Sequence, residues 1–216
     1  MDPQEALARF FSSVTKEIAY KKGEIIMRPD DAPQGVYFVL KGYVRFYTLS
    51  KEGEELTFLL LGPGDFFPVR WALTGQQLAY YYEAMTPVVL QRAAKDRFVA
   101  FLETNPGVLV AITGAILTRL KTVFDRMEYL AYGNAYEKVA SIIYVFARDY
   151  GAKEGRQTLV RIPLTHQDIA SLIGVTRETV TVEMGKLSDA GVITHKGKAL
   201  AVENMEKLRK ESLLQG

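Results

Sequence analysis

The stretch LTHQDIASLIGVTRETVTVEMGKLSDAGVITHKGK, residues 164–198, carries the strongest structural signals in the C-terminal part of the chain. Thr165 is a favourable helix N-cap, and Asp168 three residues later makes an acidic form of the capping box. The helix that follows has apolar residues at the i, i+3, i+4 spacing of a buried face, Ile169, Leu172 and Ile173. Gly174 is placed to end this helix.

A second helix is predicted directly after that glycine. Thr176 is its N-cap, Gly191 follows its end, and its buried face holds Val180, Met184 and Leu187. Two short helices joined by a glycine-containing turn form a helix-turn-helix. In DNA-binding versions the second helix enters the major groove, and its first residues contact base edges.

Five side chains are predicted to face outward on the second helix: Arg177, Glu178, Thr181, Val182 and Lys186. Arginine can donate two hydrogen bonds to guanine, and glutamate can accept one from cytosine N4. The two N-cap threonines, Thr165 and Thr176, and His166 complete the predicted DNA-contacting part of these helices. The alternative is a solvated helical hairpin whose charges contact nothing.

A hairpin after the second helix favours the DNA-binding interpretation. Residues 192–195 and 199–202 are predicted strands, with Gly197 in the tight turn between them. Helix, turn, helix and β-wing make a winged helix. Lys196 and Lys198 lie at the tip of this wing, where DNA phosphates would lie.

The stretch TRETVTVEMGKLSDAGVITHKGK resembles the DNA-binding end of the cyclic-AMP-receptor and fumarate-nitrate-reduction regulator (CRP/FNR) family, and the resemblance continues into AVENMEKL. It extends to VYFVLKGYVRFY and LGPGDFF near the N-terminus, in a region where short apolar runs alternate with glycines, as in a sandwich, barrel or roll. The resemblance implies an α+β protein. An antiparallel β-roll sensor of the jelly-roll, cyclic-nucleotide-binding type would span residues 1–105. A dimerisation helix would span 106–133 and a winged helix-turn-helix 134–216.

Composition sets further limits. The 216 residues include no cysteine and carry a formal net charge of only +2, so DNA binding would depend on where the charges lie. Without cysteine the chain cannot form disulfides, iron–sulfur clusters or cysteine-based zinc sites. No uninterrupted run of 18 apolar residues and no export signal is visible, which predicts a cytoplasmic protein without a membrane span.

The predicted long helix has a heptad seam that indicates pairing with a second copy: Ile116, Leu120, Val123, Met127 and Leu130. The alternative is an amphipathic helix packed on its own sensor domain. A dimer would suit two recognition helices that meet two half-sites one DNA turn apart.

The resemblance also implies where a cyclic nucleotide would bind, and the residues there do not match. Gly64-Asp65 replaces the Gly-Glu pair that binds the ribose. Leu78-Ala79 stands where an arginine and a small hydroxyl residue bind the phosphate. Val123 and Phe124 replace the hydroxyl residues that meet the base. Because a buried phosphate needs a cation, we expect no typical cyclic-AMP site, although Arg70 could supply the charge at another angle.

Three alternatives remain for the sensor. The roll could hold a pocket for an apolar or aromatic effector, or its interior could be a filled core. In the third alternative the regulator has no ligand at all. The pocket would be lined by Phe66, Arg70, Trp71, Tyr81, Val123 and Phe124. Haem would have to use methionine or a terminal amine, because the two histidines, His166 and His195, lie in the DNA-binding end. No metal site or other cofactor is expected.

The sequence therefore predicts a homodimeric transcription activator that binds a palindromic DNA site and contacts RNA polymerase. A regulator with an atypical cyclic-nucleotide site is a variant of this prediction. The alternative class is a ligand-binding module whose winged helix docks a protein. No nucleophile–base pair or metal-ligand cluster predicts an enzyme.

Overall fold

The computed structural model describes residues 2–14, 17–197 and 199–214. The chain divides into two compact units. One comprises residues 1–48 and 57–119, and the other comprises 49–56 and 120–216. The division falls inside the long helix α4, Pro106–Tyr132. The three-part division at residues 105 and 133 remains a prediction.

Eight strands of the N-terminal region form two antiparallel sheets, as expected for a β-roll. They are β1 (Ile18–Tyr20), β2 (Ile25–Met27), β3 (Val36–Lys41), β4 (Val44–Leu49), β5 (Glu55–Leu61), β6 (Phe66–Phe67), β7 (Tyr81–Ala84) and β8 (Val88–Ala93). One sheet has the order β1-β8-β3-β6, and the other has the order β2-β7-β4-β5. The turn between β3 and β4 requires Gly42, whose φ is +82° and where a Cβ would lie 2.2 Å from the Pro87 carbonyl oxygen.

Aromatic rings fill the space between the two sheets. Phe67 stacks on Tyr37 at 5.6 Å and on Tyr82 at 4.8 Å between ring centroids. Phe46 continues the series, 5.0 Å from Tyr82 and 4.9 Å from Tyr80. Rings at these distances gain from offset or edge-to-face packing in addition to their burial. The interior of the roll is a packed aromatic core.

Three helices pack with the roll in the first unit: α1 (Pro3–Val14), α2 (Val69–Thr74) and α3 (Lys95–Thr104). A second apolar cluster joins them, in which Phe11 stacks on Phe38 at 5.0 Å and Phe98 is fully buried. Val108 and Ile112 add the start of α4 to this cluster. Short apolar runs between glycines predict strands in this region, and α2 differs from that prediction because six residues are too few for a helical period to mark them.

In the part of the C-terminal unit that the structure describes, four helices follow α4 and the strands form one sheet. Its elements are α5 (Ala135–Tyr150), β9 (Gly151–Glu154), β10 (Gln157–Val160), α6 (His166–Ile173), α7 (Arg177–Asp189), β11 (Ile193–Lys196), β12 (Ala199–Val202) and α8 (Met205–Glu211). The sheet has the order β11-β12-β10-β9. The polar sequence of residues 151–157 predicts a loop, and this prediction is wrong because β9 and β10 pair there as antiparallel strands. A polar segment can pair as an edge strand, and β9 lies at the edge of the sheet beside β10.

The break between α4 and α5 follows the expected capping pattern. Asn134 accepts a hydrogen bond from the Glu137 backbone N–H, and the Glu137 carboxylate accepts one from the Asn134 backbone N–H. This reciprocal capping box satisfies two of the backbone donors that a helix start leaves unpaired. Helix α5 is then the centre of the unit, with eight of its residues buried.

Helix α4 is unusual for its exposed apolar surface. By length and composition it could cross a membrane, although few residues of its most apolar segment are buried. Charged residues interrupt the helix, so no uninterrupted apolar run marks this property in the sequence.

Candidate nucleic-acid interface

The first helix of the helix-turn-helix is held by the predicted capping box. The Thr165 side chain accepts a hydrogen bond from the Asp168 backbone N–H, and the Asp168 carboxylate accepts hydrogen bonds from the Thr165 N–H and hydroxyl at 2.8 and 2.6 Å. Gly174 ends α6 in the left-handed conformation with φ of +65°. The predicted apolar face is buried: Ile169, Leu172 and Ile173 are at most 4% exposed.

The second helix, α7, separates an apolar face from a polar one. Thr176 caps its start by accepting a hydrogen bond from the Thr179 N–H. Val180, Met184 and Leu187 are buried, as the spacing predicted. All five residues predicted to face outward are exposed, namely Arg177, Glu178, Thr181, Val182 and Lys186. Their role in reading bases remains a prediction.

Two of these exposed residues already have partners within the unit. Lys186 forms an ion pair at 2.8 Å with Glu183, whose carboxylate is mostly buried. Thr181 donates a hydrogen bond to the Arg177 carbonyl oxygen at 3.0 Å. Arg177 and Glu178 are exposed on the same face. Val182 adds an apolar side chain to it that is 56% exposed.

His166 links the two helices of the motif. Its Nδ1 atom lies 2.8 Å from the Thr181 hydroxyl oxygen. Burial, His195 and Arg177 lower the pKa of His166. His166 at the start of α6 is therefore connected to α7 through Thr181.

The β-wing follows α7 as predicted, with its first strand one residue later than expected. Strands β11 and β12 pair in antiparallel register from Ile193 with Val202 to Lys196 with Ala199. Gly197 makes the turn with a φ of +62°. Lys196 is exposed at the wing tip. Lys198, the second predicted wing-tip cation, lies outside the described residues.

The C-terminal end of α4 is joined to the first helix of this motif. The Arg126 guanidinium donates a hydrogen bond to the Leu172 carbonyl oxygen of α6, and the arginine is 9% exposed. Carbonyls near a helix C-terminus carry partial negative charge and favour a cation. Burial lowers the Arg126 pKa, and the neighbouring Tyr129 acts in the opposite direction.

Helix α4 carries a stripe of exposed apolar side chains, which we term the α4 stripe: Leu109, Val110, Ile116, Leu117, Leu120, Phe124 and Met127. Three residues of the predicted heptad seam belong to it: Ile116, Leu120 and Met127. The other two, Val123 and Leu130, are half-buried. Phe124, assigned from the sequence to the effector pocket, is 57% exposed on the stripe.

The predicted effector-pocket residues of the roll lie in different surroundings. Phe66 packs beside Phe98, while Trp71 contacts both apolar clusters of the first unit. Arg70 donates hydrogen bonds to the Gln76 side chain and the Gln77 carbonyl oxygen. Tyr81 stacks on Tyr47 at 5.0 Å. Its neighbour Tyr82, and not Tyr81, stacks with Phe67 in the interior of the roll. Burial there raises the pKa of Tyr82.

Residues at the predicted cyclic-nucleotide positions already have partners. Asp65 accepts a hydrogen bond from the Gly62 N–H at 2.8 Å and forms an ion pair with Arg119. Burial raises the Asp65 pKa, although Arg119 and the Gly62 hydrogen bond act in the opposite direction. Leu78 is buried in the aromatic core of the roll. The Asp65–Arg119 pair was missed from the sequence, because 54 residues separate its members.

Comparison with known proteins agrees with this architecture. Residues 17–105 match the cyclic nucleotide-binding domain, and residues 137–211 match the Crp-like helix-turn-helix domain. The chain is 30% identical over 187 residues to the global nitrogen regulator of Synechocystis, which covers 86% of this chain and 83% of that protein. It is also 30% identical to the nitrogen fixation regulation protein FixK of Bradyrhizobium diazoefficiens, over 86% of this chain and 77% of that one.

A solved structure shows the same fold. A transcriptional regulator of the CRP/FNR family from Thermus thermophilus superposes with a TM-score of 0.72 at 26% identity, covering 93% of this chain and all of that chain. The assignment follows from the two domain matches in the expected order and from relatives at 30% identity over most of their length. The exposed polar face of α7 agrees with it. The chain belongs to the CRP/FNR family of DNA-binding transcription regulators.

Proposed function

We propose that this chain is a homodimeric, sequence-specific transcription activator of the bacterial cytoplasm that binds a palindromic operator without a cyclic nucleotide. The observation that carries the proposal is the two-faced recognition helix α7. Its apolar residues are buried, while Arg177, Glu178 and Thr181 are exposed together near its N-terminus. That end of a recognition helix contacts base edges in the major groove.

The exposed side chains also suggest the kind of site that is read. Arg177 suits guanine and Glu178 suits cytosine N4, while Val182 suits the methyl group of thymine. Lys196 on the wing suits a backbone phosphate, which contributes affinity but no sequence information. Lys186 is paired with Glu183, so we expect it to contribute less to base reading than the residues at the start of the helix.

The α4 stripe supports a second copy of this chain as its partner. Exposed contiguous apolar surface marks interaction sites, and the stripe repeats at helical heptad spacing over much of α4. Leu109, Ile116 and Leu120 follow one another at seven and four residues. A two-fold axis beside this helix would pair identical stripes and give the complex the symmetry of a palindrome. RNA polymerase is the further partner expected of an activator.

The sensor is proposed to lack a cyclic-nucleotide site. A nucleotide in the interior of the roll would have to displace the stacked rings of Tyr37, Phe67 and Tyr82. The buried Leu78 offers a phosphate no cation, and Asp65 is already paired with Arg119. These contacts favour the filled core over a pocket for an apolar effector, so the regulator would be controlled by its abundance.

Selection from randomised duplexes tests this function. The full chain should enrich a two-fold symmetric motif, and gel shifts on that motif should weaken steeply with salt because phosphate contacts release counterions. Enrichment of no motif would contradict the proposal and favour the alternative, a winged helix that docks a protein.

A parallel measurement tests the sensor. Trp71, the single tryptophan, contacts both clusters of the first unit and reports changes there. Millimolar cyclic AMP should change neither its fluorescence nor the operator Kd. A saturable change in both would show that the roll accepts a cyclic nucleotide after all.

A further inference from the structure

Both histidines of the chain lie at the DNA-facing end of the C-terminal unit. His166 is the first residue of α6, and His195 lies in the wing strand β11. Neither is needed for the core, because His166 is half-buried and His195 is exposed. Their place beside the recognition helix raises the question of what the imidazole of His166 does there.

Hydrogen bonding fixes which nitrogen of His166 carries a proton. The Thr181 hydroxyl donates its single proton to the Arg177 carbonyl oxygen at 3.0 Å. In its 2.8 Å contact with His166 Nδ1, the same hydroxyl oxygen must therefore accept. Nδ1 is the protonated nitrogen of the neutral ring. The other nitrogen, Nε2, then carries a lone pair until the ring takes up a second proton.

The groups around His166 are mainly cationic. Burial lowers the pKa of His166 most, and His195 on β11 and Arg177 at the start of α7 lower it further because they disfavour a second positive charge. On its own helix the Asp168 carboxylate is occupied by the N–H and hydroxyl of Thr165. Basic groups thus influence the ring of His166 electrostatically, and such surroundings favour an anion.

Resting on the DNA-binding function proposed above, we propose that His166 binds a backbone phosphate of the operator through Nε2 and takes up one proton from solvent in doing so. The neutral ring would present a lone pair to the phosphate oxygen and repel it. The imidazolium presents an N–H donor, and such charge-assisted hydrogen bonds are about twice as strong as neutral ones. Nδ1 stays bonded to Thr181 in both states.

The sign of the pH dependence follows from linkage. A phosphate favours the charged ring, so the His166 pKa is higher in the complex than in the unbound protein. The complex therefore binds more protons than its separated components, and affinity rises as the pH falls through this range. A difference of one pKa unit changes Kd by up to about tenfold for each protomer.

The test measures Kd by fluorescence anisotropy between about pH 6 and 8, at constant ionic strength, with the full chain and its selected operator. The unsubstituted chain should bind more tightly at the lower pH. His166→Gln should remove most of this pH dependence, and His166→Lys should bind tightly with little dependence because its charge is permanent. The matched variant His195→Gln should retain the pH dependence.

Nuclear magnetic resonance of the ring nitrogens supplies the direct readout. The His166 Nε2 signal should titrate at a higher pH in the complex than in the unbound protein. An equal pH dependence in His166→Gln, or an unchanged titration of Nε2, would overturn the inference. Specific operator binding by His166→Gln would show that the proposed DNA-binding function stands even then, whereas loss of specific binding by the unsubstituted chain at every pH would refute both.

Discussion

Replacing Leu120 by glutamate should break the proposed dimer. Leu120 lies in the α4 stripe and is 43% exposed. Fully burying a leucine side chain contributes about 1.5–3 kcal/mol, so burying the remaining two-fifths contributes about 1 kcal/mol. A two-fold dimer contains this residue twice, and the loss of both leucines therefore costs about 2 kcal/mol.

The introduced charge adds to that loss. The glutamates of the two copies would lie close together and repel each other. In addition, an unpaired carboxylate in an apolar interface costs several kcal/mol unless it stays in water or takes up a proton. We therefore expect dimerisation to weaken by at least about 4 kcal/mol, or about a thousandfold in Kd.

Sedimentation velocity over a wide range of protein concentrations measures this effect. Ala115→Glu is the matched control, because Ala115 is an exposed residue of the same helix that lies away from the α4 stripe. It should remain dimeric, and circular dichroism should show that both variants are folded. A Leu120→Glu variant that dimerises as tightly as the control would refute the assignment of the stripe to a second copy.

Three further predictions concern DNA reading and stability. Arg177→Ala should cost about 1–3 kcal/mol in each half-site and relax specificity at one base pair, which a repeated selection would reveal as a degenerate position, whereas an unchanged motif would contradict the assignment. Lys196→Ala should weaken binding to all sequences about equally and reduce the salt slope, and a sequence-selective loss would speak against a phosphate contact. Asn134→Ala removes an N-cap and should cost about 1 kcal/mol, visible as a Tm lower by about 2–4 °C in a thermal scan. An unchanged Tm would mean that the capping box contributes little to the stability of the C-terminal unit.

The helix-turn-helix could be predicted almost residue by residue, because its signals are local. Thr165, Asp168 and Gly174 act within a few residues of their own positions, and the buried faces of α6 and α7 follow helical periodicity. The edge strand β9 could not be recognised in the same way, because its residues are polar and its pairing with β10 depends on the fold around it.

The β-roll was harder to predict because its contacts join distant segments. The run Tyr80-Tyr81-Tyr82 has no alternation of residue type, so the sequence does not indicate which tyrosine faces inward. Pairing with β4 decides it and places Tyr82 opposite Phe46. Likewise, Asp65 and Arg119 meet only after the roll has folded against the start of α4.

The central claim is that two copies of this chain read one palindromic site. Native mass spectrometry of the full chain with its selected duplex tests this most directly. We expect a complex of two chains with one duplex, and scrambling either half-site should remove it. A single chain bound to the intact duplex with undiminished affinity would show that dimerisation is not needed to read the site.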